Sequence, residues 1–209
     1  MSVLTDDERR RAERYRFEQD RERFITARAT LRHVLAAYLN AKPQDVVFRY
    51  GATAKPYLGG AHKGLSLQFN ISRSHNLGLF AVARGRAVGV DVEQIHRDQP
   101  MPETVRSFFS PTEQAVLASL PPTMQLKAFY LCWARKEAFL KARGDGLTVD
   151  PSSFDVVCSD DLTVALQTSW DPLEAQRWML RDLTACDEYA AAVAATGRDW
   201  VIRCGEWQF

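Results

Sequence analysis

Apolar positions along this chain alternate between a helical period and a strand period. Phe24, Ala27, Leu31, Val34, Leu35, Tyr38 and Leu39 recur at helical spacing and predict a helix over 20–39, ended by Asn40 and Pro43. Ahead of it, Thr5 and Glu8 have capping-box spacing for a first helix. The period then shortens, predicting strands at 46–50, 65–69, 77–83 and 87–93, with Arg84-Gly85-Arg86 as a hairpin turn between the last two. Pro100 and Pro102 mark a connection. Ser110 is placed as an N-cap, Pro111 at the first helical position, and Glu113 to complete a second capping box. A long helix over 123–143 follows, stopped near Gly144. Strands are predicted at 154–158, 162–166, 177–183 and 189–195. Each half thus runs helix and then several strands. That order predicts an α+β fold of two similar lobes related by a pseudo-twofold, each a helix packed on a small, mainly antiparallel sheet. The lobes are expected at 1–100 and 101–209, meeting near 97–105. No repeat is visible in the sequence itself, so the duplication rests on element order alone.

Composition supports a folded core without staples. The 209 residues are 46% hydrophobic and 25% charged. Lys and Arg number 27 and Asp and Glu 26, a net charge of +1, which argues against a general nucleic-acid binder. Nine arginines lie between Arg9 and Arg32, but Glu13, Glu18, Asp20 and Glu22 interleave with them, as on a solvated helix face. Cys132, Cys158, Cys186 and Cys204 are scattered, without CxxC or zinc spacing, and read as reduced, mostly buried thiols. No apolar run reaches membrane length and the first residues, MSVLTDDERRRAERY, hold no apolar core. The expectation is a soluble cytoplasmic protein with no membrane contact.

Two acidic segments are the candidates for chemistry. In Gly89-Val90-Asp91-Val92-Glu93, Asp91 and Glu93 fall on one strand face with Cα atoms about 6.6 Å apart, so both can aim at one ion. The same alternation also describes an ordinary half-exposed strand with a wet acidic face. In Trp133-Ala134-Arg135-Lys136-Glu137-Ala138-Phe139-Leu140-Lys141, Glu137 and Lys141 stand one helical turn apart. An exposed Glu–Lys pair has the same spacing. Three carboxylates and one lysine can hold a hard divalent cation against a phosphate, which points to phosphate chemistry. A third segment, Phe69-Asn70-Ile71-Ser72-Arg73-Ser74-His75, reads as the end of a strand and a polar turn, offering hydroxyls and a guanidinium to a phosphate. Ala54-Lys55-Pro56 by itself carries no signal.

Taken together, FNISRS, GVDVE, FFSPTE and WARKEAFLKARGDGL, in that order and spacing, resemble the Sfp-type 4′-phosphopantetheinyl transferases over about residues 28–157. The resemblance implies transfer of the phosphopantetheine arm of coenzyme A to a serine of an apo acyl or peptidyl carrier protein, releasing adenosine 3′,5′-bisphosphate. It implies Mg²⁺, or Mn²⁺, held by Asp91, Glu93 and Glu137, with Lys141 on the phosphate under attack. Glu137 is the first candidate to accept the serine proton, directly or through a metal-bound water. Glu113 is the second, provided its carboxylate is not committed to the helix start. Arg28, Lys55, Ser72 and Arg73 match positions that grip coenzyme A. The family has His where this chain has Arg73, an always-charged group able to bind phosphate bidentately. The usual Gly before Lys55 is Ala54. Two lobes in one chain would mimic a dimer, so a monomer is expected. A catalytically inactive coenzyme A or carrier-protein binding module is the alternative reading. A metal-dependent nuclease is the other, against which stand the helical spacing of Glu137 and Lys141 and the neutral charge.

Overall fold

In the computed structural model the described residues are 3–51, 53, 55–97, 101–144, 146–158, 164–184 and 186–207. Their contacts gather into two units. One comprises Met1–Gly51, Pro56–Ser66 and Val201–Phe209, the other Ala52–Lys55 and Leu67–Trp200.

The first unit holds α1 (Asp6–Glu13), α2 (Glu18–Leu39) and an antiparallel pair, β1 (Phe48–Tyr50) with β2 (Pro56–Leu58). The expected capping box of Thr5 and Glu8 opens α1. Glu8 does more than cap. Its buried carboxylate accepts from Arg32 Nε at 2.8 Å and Arg28 Nε at 2.5 Å. Arg32 is itself buried and donates to the carbonyls of Pro43 and Val46. At least this arginine therefore departs from the solvated-face reading. Asn40 ends α2 at φ +50°, the left-handed cap that asparagine tolerates.

In the second unit, β3 (Leu67–Ser74) and β4 (Leu77–Arg84) form an antiparallel hairpin. A separate five-stranded antiparallel sheet has the order β5 (Val88–Gln94), β9 (Tyr189–Thr196), β8 (Trp178–Leu183), β7 (Val164–Thr168), β6 (Phe154–Cys158). Between β5 and β6 the described residues form α3 (Met101–Phe108), α4 (Pro111–Ser119) and α5 (Pro122–Arg143). Ala134, Ala138, Phe139, Leu140 and Ala142 of α5 share one core with Phe154, Val156, Trp178, Leu180, Ala192 and Ala194 of the sheet. The alanines of β9 let the helix come close. Gly89 lets it come closer still: a Cβ there would stand 2.2 Å from the Ala138 carbonyl and 2.3 Å from the Ala142 nitrogen.

The fold is α+β with mainly antiparallel sheets, as expected, but its contacts do not divide at residue 100. The reason is β5, which pairs with β9 from Val88↔Ala195 to Gln94↔Tyr189 and so joins the sheet built from the second half. Residues 84–86 are not a ladder hairpin, because β4 and β5 belong to different sheets. Asn70–Ser74 is strand rather than turn. The turn is His75-Asn76, with His75 at φ +51°. A helix, α3, begins where only a connection was expected. Cys186 and Cys204 are exposed rather than buried. Ala54, Pro100 and the start of the strand expected at 162–166 lie outside the described residues.

Candidate functional site

Gly89, Asp91 and Glu93 alternate onto the face of β5 that meets α5, while Val88, Val90 and Val92 are buried on the other. Asp91 is therefore not on a wet face: it is 1% exposed. Its Oδ1 accepts from Lys141 Nζ at 2.5 Å and from Ser72 Oγ at 2.8 Å. Lys141 Nζ also donates to Ser72 Oγ at 3.0 Å. Asp91 Oδ2 is buried and finds no hydrogen-bond partner among the described residues. A buried carboxylate oxygen left this way costs stability and calls for an explanation.

Glu93 and Glu137 share the same electrostatic field. Burial, and then the Asp91 carboxylate, push the Glu93 carboxyl up to about 7 against a hydrogen bond from Ser74 Oγ at 3.2 Å. Burial pushes Glu137 above its ordinary value, with Lys141 pulling it down and Asp91 adding to the rise. Burial also pushes Asp91 up, against the pull of Lys141 and Ser72. Three carboxylates thus repel one another around a single ammonium, an excess of two negative charges when all are ionised.

That deficit tests whether a divalent cation suits these residues. Among the described residues, no three His, Cys, Asp or Glu side chains form a ready metal-holding group. Magnesium does not require one, since it is commonly held by one or two carboxylates, water and substrate phosphate. The orphaned Asp91 Oδ2 and the mutual repulsion with Glu93 and Glu137 fit such an ion.

The edge of β5 not paired with β9 is met by side chains of β3. Val90 N–H donates to Asn70 Oδ1 and Gln94 N–H to Ser74 Oγ, both at 2.9 Å. These contacts carry Ser72, midway between them, to Asp91. Arg73 alternates to the opposite side of β3 from Ser72 and is exposed. Arg28 belongs to the first unit, where it bonds Glu8 and Tyr50 and lies 4.1 Å over the Phe48 ring. Lys55 Nζ reaches the backbone carbonyls of Lys141, Ala142 and Val88. Glu113 does not meet the condition set for it as a proton acceptor. Its Oε2 accepts from Ser110 N–H at 2.9 Å and Lys136 Nζ at 2.7 Å, its Oε1 from Val156 N–H at 2.8 Å, and it is 4% exposed. The capping box and a buried ion pair absorb the whole carboxylate. Trp133, one turn before Glu137, stacks on Phe108 with centroids 4.6 Å apart and serves as packing.

Two residues that build this site carry little signal in the sequence. At Gly89 any side chain would collide with the α5 backbone. A glycine inside a valine-rich strand is itself a signal of close backbone approach. Asn70 lies in β3 rather than in a turn, and its Oδ1 is the acceptor that fixes the β5 edge.

Residues 87–194 match the family model described as the 4′-phosphopantetheinyl transferase superfamily. Residues 1–85 match the one described as 4′-phosphopantetheinyl transferase, N-terminal. The chain belongs to the 4′-phosphopantetheinyl transferase superfamily. It is an enzyme of that class. It is 36% identical to the 4′-phosphopantetheinyl transferase HetI of Nostoc sp. over 95% of this chain and 81% of that protein. A 4′-phosphopantetheinyl transferase of Bacillus subtilis is 29% identical over 96% of this chain and 85% of its own length. The B. subtilis transferase Sfp is 29% identical over 80% and 72% respectively.

Proposed function

We propose that this transferase moves the 4′-phosphopantetheine arm of coenzyme A onto a serine of an apo acyl or peptidyl carrier protein, releasing adenosine 3′,5′-bisphosphate. The reading is carried by one observation: Asp91, whose Oδ2 has no partner among the described residues, lies against Lys141 on the meeting face of β5 and α5. Family membership supplies the reaction class. A divalent cation, Mg²⁺ or Mn²⁺, bound by Asp91, Glu93 and Glu137 would neutralise charge on the pyrophosphate. Lys141, 30% exposed at its side chain, can turn its ammonium from Asp91 to a phosphate oxygen and offset charge developing there. Glu137 is the proposed acceptor of the carrier serine's proton, at a carboxylate oxygen. Ser72 holds Asp91 in place. Arg28 and Arg73 are proposed contacts for the phosphates of coenzyme A. No helix among the described residues is long and apolar enough to cross a membrane, and a monomer acting in the cytoplasm goes with this reading.

The test is incubation with coenzyme A, Mg²⁺ and a panel of apo carrier proteins, read by intact mass. The expected result is a gain of one phosphopantetheine on at least one carrier, lost with a chelator. Binding of coenzyme A without any mass gain would leave a binding module in place of a transferase. Metal-dependent plasmid cleavage would favour a nuclease.

A further inference from the structure

The last four carbonyls of a helix have no acceptor role inside it and must find donors elsewhere. At the end of α5, Leu140 O accepts from Gly144 N–H at 3.0 Å. The next two carbonyls, of Lys141 and Ala142, accept from Lys55 Nζ at 2.5 and 3.1 Å. Just beyond the helix, Gly144 O accepts from Thr53 Oγ1 at 2.7 Å. The same Lys55 ammonium lies 3.4 Å from Val88 O, at the first residue of β5. An ammonium has three N–H donors, and these three carbonyls can each take one. Its positive charge also sits where a helix C-terminus favours one. Gly144, at φ +82°, keeps the approach open: a Cβ there would stand 3.3 Å from Lys55 Cδ.

We infer that Lys55 is a positioning residue, an external cap that ties the C-terminal end of α5 to the start of β5. Those two elements carry Glu137 and Lys141 on one side and Asp91 and Glu93 on the other. Lys55 acts on Lys141 through that residue's own carbonyl, so it fixes the backbone from which the reacting ammonium extends. This assigns Lys55 a different task from the phosphate grip that the family resemblance implies. An ammonium held by these carbonyls can turn to a phosphate only by giving up part of the cap. The catalytic part of this inference rests on the transferase reading. The capping part does not.

Two measurements on Lys55→Met test it. The first is amide hydrogen exchange of the full chain without substrate. Exchange across residues 140–146 is expected to quicken about tenfold or more in the variant, with the rest of the sheet unchanged. The second is steady-state transfer with coenzyme A and an accepted carrier protein. There kcat is expected to fall about tenfold while KM for coenzyme A stays within about threefold. Lys55→Arg, which keeps donors and charge, is expected to recover part of both. A KM for coenzyme A raised about tenfold at unchanged kcat, with exchange unaltered, would make Lys55 a phosphate ligand and overturn the inference. Should the unmodified protein transfer nothing, the functional reading falls, and the exchange experiment still decides whether Lys55 caps α5.

Discussion

Two lysines of α5, five positions apart, each meet a carboxylate, and the two pairs have opposite characters. Lys136 is wholly buried and its amine has Glu113 at 2.7 Å, the Pro151 carbonyl at 2.7 Å, the Phe154 carbonyl at 2.5 Å and the Phe154 ring beneath it. Glu113 is equally satisfied. Lys141 meets Asp91 at the same kind of distance, but its side chain keeps 30% exposure and Asp91 keeps an oxygen without a partner among the described residues. The closed pair holds α4, α5 and β6 together. The open pair has capacity to spare. Burial alone does not mark a functional ion pair; unspent hydrogen-bonding capacity does.

The largest effect expected from this contrast is on activity. Asp91→Ala or Glu137→Ala should lower transfer by about a thousandfold or more, with circular dichroism unchanged. Transfer near the unmodified rate in either variant would remove the distinction between the pairs. The closed pair should break as stability instead. Glu113→Ala strands a buried ammonium and should cost about 3–5 kcal/mol in denaturant unfolding. Replacing both partners, as Glu113→Gln with Lys136→Met, should cost less than Glu113→Ala, because no charge is left buried. Gly89→Ala should cost about 3 kcal/mol and reduce transfer with it, since the strand must retreat from the α5 backbone.

A smaller effect follows from pH. Glu93 goes from an ordinary 4.5 to about 7 on folding, so between those values the folded chain binds more protons than the unfolded one. Stability should therefore be complete at the acid end of that window and fall by ~1–2 kcal/mol as pH rises through it, a figure lowered for residual solvent screening. Melting curves in chelator should show the decline. Mg²⁺ should oppose it above pH 7 and do little at pH 5. The smallest change expected is for Arg73→Ala, a rise in KM for coenzyme A at similar kcat. If unmodified protein uses 3′-dephospho-coenzyme A as well as coenzyme A, Arg73 does not read the 3′-phosphate.

Much of this was legible in residue order. Capping boxes at Thr5 and Ser110, the left-handed stops at Asn40 and Gly144, and the acidic alternation of β5 follow from local spacing, and they stand in the structure. What local spacing cannot carry is which partner a residue meets across the chain. Glu113 has one sequence signature for capping and for catalysis, and only Val156 N–H and Lys136, from other elements, separate the two. The partnership of β5 with β9 spans about half the chain and has no periodic signal. Arg32 sits in a run of charge and is buried because Glu8, Pro43 and Val46 happen to converge on it.

The side chains of Asn70 and Ser74 along β5 have a further consequence. A valine-rich strand at the rim of a sheet is a template on which another molecule could lay a strand of its own. Here the N–H groups of Val90 and Gln94 are already taken by an amide and a hydroxyl from within the same chain. The rim that bears Asp91 is thus closed to foreign strands, and removing those two polar groups would make this enzyme prone to self-association at high concentration.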